Sequence, residues 1–234
     1  MRGRRVLTAA LLVALCAVFL YQVGLFGMVV WFKYRNPGFT PVMQDTLQAL
    51  RMDDPKARLS HQWVPYAQIS PQLKRAVIAS EDSGFVEHDG VEWDAIRKAW
   101  RYNQRQEARG RGKRRGGSTI TQQLAKNLFL SNSRNYLRKG QELILTYMIE
   151  LVMDKRRILE LYLNVAQWGK ATFGAQAAAA HYYRSSAARL SATQAAELAS
   201  MLPNPAYYDQ HGMTAYLRAH AATVRARMRL VEVP

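Results

Sequence analysis

Residues 6–32 form a run of 27 without a single charged side chain, rich in Leu, Val, Ala and Phe, and no other feature restricts the chain so strongly. As a helix the run is roughly 40 Å long. That exceeds the roughly 30 Å of hydrocarbon in a bilayer, so it can span a membrane with tilt. A cleaved signal peptide and a buried core helix are the alternatives. A signal peptide has a shorter apolar region, and Leu15 before Cys16 fits a lipoprotein signal poorly. Arg2, Arg4 and Arg5 precede the run while only Lys33 and Arg35 follow closely, which puts residues 1–5 in the cytoplasm and the rest of the chain outside. Trp31 and Tyr34 would mark the outer interface.

A chain of 234 residues has room for one domain with a proper core, and 49% hydrophobic against 21% charged residues can bury enough apolar surface to fold. Lys and Arg number 33 against 17 Asp and Glu, a formal charge of +16, so the partners should be anionic: nucleic acid, an acidic membrane surface or phosphorylated substrates. The lone Cys16 excludes an internal disulfide and a thiolate metal site.

Beyond Pro37 the pattern is helical. Ser70-Pro71 is an N-cap followed by proline at the first helical position, opening a helix over 70–80. Further helices are predicted over 92–107, 118–130 with Ser118 as cap, 136–153, 155–165, 171–183, 191–202 and 213–231. Convincing period-two alternation is absent, so the fold class is mainly α. The basic run RGRGKRRGG, with Arg109, Arg111, Lys113, Arg114 and Arg115, is either a solvated charge run or a contact for anionic lipid heads, where each basic residue is worth about 1 kcal/mol.

Three segments concentrate chemistry. EDSGFVEHDG (81–90) holds five ionisable side chains in ten residues. Glu81 and Asp82 fall at a helix C-terminus, where the macrodipole disfavours negative charge, and this suits a proton acceptor. A divalent metal site, or a capped helix end with a buried His88, would use the same residues. GGSTITQQLAKN (116–127) places Gln122, Gln123, Lys126 and Asn127 on an arc of about 140° beside an apolar face. Its free N–H groups at 118–121 would suit a phosphate, and an ordinary exposed polar face is the alternative. In RKGQE (138–142), Arg138, Lys139 and Glu142 can meet on one helix face, as a site or as a plain ion pair.

In this order the segments resemble the peptidoglycan glycosyltransferases, glycosyltransferase family 51, in their monofunctional form. The first is similar to EDxxFxxHxG, the second to GxSTxTQQLxKN, the third to RKxxE, and KRRILELYLN (155–164) to KxxILExYLN. Trp168-Gly169, Phe173-Gly174 and Leu202-Pro203-Asn204-Pro205 extend the likeness, which covers about 60–208. The resemblance implies a lysozyme-like helical domain over 60–234 with a small membrane-proximal lobe and linker at 33–59, after an anchor at 6–32. It implies Glu81 as general base and Glu142 as a second essential carboxylate. Ser118, Gln123, Lys126, Asn127, Arg138 and Lys139 align with residues holding the donor's sugar and diphosphate, and Asp82, Phe85, His88, Thr119 and Gln122 are counted with the substrate-binding set.

The implied activity is polymerisation of lipid II into β-1,4-linked glycan with inversion and release of polyprenyl diphosphate. It would take place on the outer face of a bacterial inner membrane, with the N-terminus cytoplasmic and the catalytic domain periplasmic. No cofactor is required, though a divalent cation such as Mg2+ or Mn2+ would be a stimulant, and no resident metal site is expected. The partners are lipid II, the growing glycan strand, anionic lipids and other cell-wall synthesis proteins. The rival is a lysozyme-like hydrolase or lytic enzyme, since a helical lobe with a catalytic Glu serves cleavage too. A tethered binding module for nucleic acid is disfavoured by the clustered carboxylates. A transpeptidase domain has no room, and no Ser-x-x-Lys occurs.

Overall fold

The computed structural model describes residues 2–110, 116–131 and 136–234. Among these lie eleven α-helices and only two very short strands, the mainly α class that the missing period-two alternation predicts. Arg111, Lys113, Arg114 and Arg115 of the basic run fall outside the described residues; Arg109 is exposed.

Helix α1 (Arg2–Tyr34) is one uninterrupted apolar helix with the length and composition of a single-pass membrane anchor. Residues 6–21 are exposed along its whole circumference, whereas Leu25 and Val29 are buried in the domain core. Helix α2 (Pro41–Asp53) lies within the stretch read as linker and lobe. It is opened by Thr40, whose hydroxyl accepts the Met43 N–H at 3.3 Å, with proline at the first position.

Helix α3 (Pro71–Glu81) starts as predicted, with the Ser70 hydroxyl accepting the Gln72 N–H at 3.2 Å. It buries Leu73, Ala76, Val77 and Ile78. Helix α4 (Trp93–Glu107) is peripheral and buries only Ala99 fully. Helix α5 (Ile120–Phe129) is capped by Thr119 rather than Ser118. Thr119 and Gln122 form a reciprocal capping box, so two orphan N–H groups of the first turn are satisfied at once. Helices α6 (Tyr136–Val152) and α7 (Lys155–Val165) are separated at Asp154, whose carboxylate caps α7 by accepting the Arg157 N–H at 2.7 Å.

The helix predicted over 171–183 begins later than expected. Thr172–Phe173 (β2) pairs in parallel with Ser60–His61 (β1), and α8 (Ala175–Tyr183) follows Gly174. Helix α9 (Ala192–Met201) carries the predicted Ser191 cap. Helix α10 (Pro205–His211) was not predicted. Helix α11 (Ala215–Arg227) ends in a 3-10 turn over Met228–Leu230, so the last expected helix is shorter and changes pitch.

Helix α9 packs between α3 and α11, α5 lies against α6, α7 and α2, and α1 runs along α6. Trp168, Tyr162, Phe85 and Phe173 are fully buried in one continuous core. Asn164 of α7 ties the chain before α3 to this core: its amide donates to the Val64 carbonyl at 3.0 Å and accepts the Val64 N–H at 2.9 Å.

Gly174 is one position that only glycine fills. Its φ is 80°, and a Cβ there would lie 2.7 Å from the Asn164 carbonyl oxygen. Gly174→Ala should lower unfolding free energy by about 2–4 kcal/mol through left-handed strain and overpacking. Denaturant titration of the full chain in detergent measures this, and a change below about 0.5 kcal/mol, the range of an ordinary surface substitution, would refute the assignment.

Candidate active site

Glu81 is the last residue of α3. Its Oε2 accepts the Gln123 amide N–H at 2.9 Å, and the Ser80 hydroxyl lies 3.3 Å from its Oε1. The Tyr162 hydroxyl in turn donates to Gln123 Oε1 at 2.9 Å. A buried tyrosine from α7 therefore orients the α5 glutamine, and the glutamine orients the carboxylate. Burial pushes the Glu81 carboxyl above the usual carboxylate range. The hydrogen bonds from Gln123 and Ser80 only partly offset this, and the Asp82 charge adds to it. The sequence predicted an upward shift from the helix dipole; desolvation is its larger cause. Burial likewise raises the Tyr162 phenol, helped by the charges of Glu81 and Asp82, which keeps it protonated as a donor.

Asp82 turns the other way. Its Oδ2 accepts the Ile120 N–H at 3.0 Å in the first turn of α5, and its Oδ1 accepts from His88 Nε2 at 2.8 Å. His88 Nδ1 accepts the Gly90 N–H at 3.1 Å, an arrangement that needs the neutral ring with its proton on Nε2. Burial opposes charge on His88, but Asp82 outweighs it and the pKa is raised. The Gly90 carbonyl accepts the Thr119 hydroxyl at 2.6 Å. Lys155 donates to the His88 carbonyl at 2.6 Å and to Glu150 at 2.8 Å, and Glu150 also accepts the Thr121 hydroxyl. Phe85 is fully buried, with the Lys155 ammonium 4.8 Å from its ring centre.

The loop 82–90 is thus fastened to α5, α6 and α7. Asp82, His88, Thr119 and Gln122, expected to hold substrate, spend polar atoms on contacts within the protein, and Phe85 has no exposed surface. The start of α5, expected to offer free N–H groups to a phosphate, is partly engaged. Thr119 N–H donates to Gln122 Oε1, Gln122 N–H to Thr119 Oγ1 and Ile120 N–H to Asp82. A carboxylate of the protein holds the favourable end of that helix dipole.

The side chains left to face a cavity are Gln123, Lys126 and Asn127 of α5 with Tyr162. Across from them stand Leu202, Pro203 and Pro205, and Val42 of α2 and Gln167 complete the wall. Its volume of about 170 Å³ equals roughly six waters at about 30 Å³ each, enough for one sugar ring or a phosphate. Glu81 stands behind this wall, bonded to its member Gln123. Tyr162 and Val42 were not singled out as site residues from sequence. Tyr162 stands inside the KRRILELYLN block, and that was the available signal.

A second polar centre forms at the start of α6. Arg138 donates to Glu142 Oε2 at 3.0 Å, Lys139 contacts Glu142 Oε1, and the Lys139 ammonium reaches the Ser118 hydroxyl at 3.4 Å. Glu142 is buried while the Lys139 side chain is 49% exposed, so one carboxylate aims two cations and one of them keeps a face to solvent. Arg138 and Lys139 do not line the cavity around Lys126. Helix α5 links the two centres, with Ser118 at its start and Lys126 roughly 12 Å further along.

A family profile described as Transglycosylase matches residues 47–229. The chain is 66% identical over 230 residues to a protein of Bordetella pertussis named biosynthetic peptidoglycan transglycosylase, covering 98% of this chain and 95% of the relative. A protein of the same name from Herminiimonas arsenicoxydans is 53% identical over 232 residues, covering 99% and 98%. One from Azoarcus sp. is 53% identical over 230 residues, covering 98% and 97%.

The raised Glu81 pKa has a sign that can be checked. The folded state holds this proton more tightly than the unfolded chain, so stability falls as pH rises from the ordinary carboxylate range through the raised value. Glu81→Gln keeps the hydrogen-bonding shape without the charge. It should raise the melting temperature at neutral pH, with the gain vanishing on acidification below that window. Thermal unfolding of both chains across pH measures this, and a variant less stable than the parent at neutral pH would contradict the desolvation argument.

Proposed function

Because the chain belongs to the transglycosylase family, we propose that it is a peptidoglycan glycosyltransferase that polymerises lipid II on the outer face of the cytoplasmic membrane, with Glu81 as general base. The donor is a glycan strand on a polyprenyl diphosphate, and the acceptor is the 4-hydroxyl of a lipid-linked GlcNAc. A sugar hydroxyl is a poor nucleophile at neutral pH, so its proton must leave as the bond forms. The observation carrying this reading is Glu81: a carboxylate with a raised proton affinity, aimed by Gln123 and Tyr162 beside a cavity lined by Lys126.

The hydroxyl oxygen attacks the anomeric carbon from the face opposite the diphosphate, the C–O bond to the diphosphate breaks, and Glu81 takes the hydroxyl proton. One displacement inverts the centre and gives the β-1,4 linkage. Charge accumulating on the diphosphate is met by Lys126, Arg138 and Lys139, which require little reorganisation because Glu142 already holds two of them. Gln123, Asn127 and Ser118 contact substrate in this scheme. Asp82, Phe85, His88, Thr119 and Gln122 act as positioning residues, consistent with their internal contacts. The chemistry needs no cofactor, and polymer yield with and without a chelator tests that.

With purified lipid II, Glu81→Gln should lower polymerisation by about 10²–10⁴-fold while lipid II binding persists. Near-normal chain growth by this variant would remove Glu81 from the mechanism. Digestion of purified cell wall by the parent chain, without growth of polymer, would favour the hydrolytic reading instead. Lys126→Ala should weaken both donor affinity and turnover, losing about 1.5–3 kcal/mol of charged hydrogen bonding. Unchanged affinity for a diphosphate-bearing analogue in calorimetry would count against its phosphate role.

A further inference from the structure

The anchor helix and the cation centre are joined by one polar contact. Gln22 of α1 donates to Gln141 of α6 at 2.8 Å, and the Gln141 amide donates back to Gln22 at 3.0 Å. Above this pair the same face of α1 is packed into the domain through Leu25, Val29 and Phe32, the last in ring contact with Phe129 at 5.7 Å. The end of α1 reaches the start of α7, where the Arg157 guanidinium donates to the Phe32 and Arg35 carbonyls at 2.9 Å. Since α6 ends just before α7, α1 and α6 run in the same direction away from the Gln22–Gln141 pair.

Residues 6–21 separate Arg5 from Gln22 and extend roughly 24 Å as a helix. That is close enough to the roughly 30 Å of hydrocarbon for a modest thinning of the bilayer to match it. With Arg5 at the inner boundary, Gln22 then lies in the outer headgroup layer. Arg138 and Lys139, which precede Gln141 and stand roughly 3–5 Å nearer the lipid, lie at the hydrocarbon edge. Were the span to reach Phe32 instead, Gln22 and Gln141 would sit up to roughly 15 Å deeper. Arg138 and Lys139 stand within one helical turn of Gln141 and Glu142 directly after it, so all three would be dragged into hydrocarbon, where ionised side chains are costly. At the same end of α6, Leu137 is 88% exposed, which fits a residue turned to lipid.

We propose that the Gln22–Gln141 pair sets the height of the domain on the bilayer: the span ends near Gln22 rather than Phe32, and the Arg138–Lys139–Glu142 centre is held at the level of the lipid headgroups. The height follows from geometry and charge; its catalytic use rests on the reading of that centre as a diphosphate grip. A substrate tethered in the membrane presents its diphosphate in a thin layer, so a cation centre fixed at that layer meets it at high local concentration.

Two measurements on the full chain test this. Bimane placed by Met28→Cys or Leu137→Cys, in a Cys16→Ala background, is read in phosphatidylethanolamine and phosphatidylglycerol vesicles. Position 137 should be quenched best by lipid carrying a nitroxide near the headgroup, and position 28 best by aqueous iodide. Strongest quenching of position 28 by a mid-chain nitroxide would overturn the proposal. Second, inserting one helical turn after Ala17 lifts the domain by roughly 6 Å. It should raise KM for lipid II in vesicles about tenfold and leave kcat and KM in detergent micelles unchanged. An unchanged vesicle KM overturns the height-setting role. A parent chain that polymerises lipid II in neither medium would overturn the proposed function instead, while the depth readings still decide the height.

Discussion

Asp82 joins the end of one helix to the beginning of another, and the geometry of the site depends on that join. One carboxylate oxygen takes the first-turn N–H of Ile120 and the other takes the His88 proton. The charge that would be unfavourable at the end of α3 becomes favourable at the start of α5. Glu81, one residue earlier, has no such compensation. It meets one amide and one hydroxyl and is otherwise desolvated. Two neighbouring carboxylates are thereby placed in opposite surroundings, one bonded on both oxygens into the architecture and one desolvated with its pKa raised.

Fastening the loop costs conformational freedom that only glycine can supply. Gly90 has a φ of 84°, and a Cβ there would stand 2.7 Å from atoms of Glu150 and Thr146. The loop can therefore lie flat against α6, where Lys155 and Glu150 close over it. Glu81 is placed by the end of α3 and by the half-buried Ser80 and Gln123, the latter backed by the buried Tyr162. In the proposed reaction a flexible surface contact would allow the proton-accepting oxygen to drift, and small misplacements are expensive in rate.

Local signals were legible from sequence where they were sufficient alone. Ser70 and Ser191 cap helices by bonding their own first-turn N–H groups, so a few adjacent residues decide the outcome. Thr40-Pro41 and Asn204-Pro205 carry a related signal, yet α2 and α10 were missed; α10 spans only Pro205–His211, too short to show apolar periodicity. The choice of Thr119 over Ser118 depends on a distant partner, the Gly90 carbonyl, and a two-residue strand pair is too short to show alternation. The motif blocks marked candidate site residues but could not separate those facing the cavity from those facing inward. Gln122 and Gln123 are adjacent and identical in type. One closes a capping box and the other holds Glu81, and only the packed neighbours Thr119 and Tyr162 tell them apart.

Helix α6 ties the location of the enzyme to its chemistry. Gln141 bonds the anchor, and the next residue, Glu142, bonds the two cations assigned to the diphosphate. Lys139 touches Ser118 at the head of α5, and α5 carries Gln123 to Glu81. From bilayer to proposed base the path runs through packed helices and mostly half-buried hydrogen bonds, without a hinge among the described residues that compose it. In the proposed reaction the diphosphate cannot leave the membrane plane, so the acceptor hydroxyl must be brought to a fixed height above it. A rigid path of this kind converts the position of a lipid headgroup into the position of a proton acceptor.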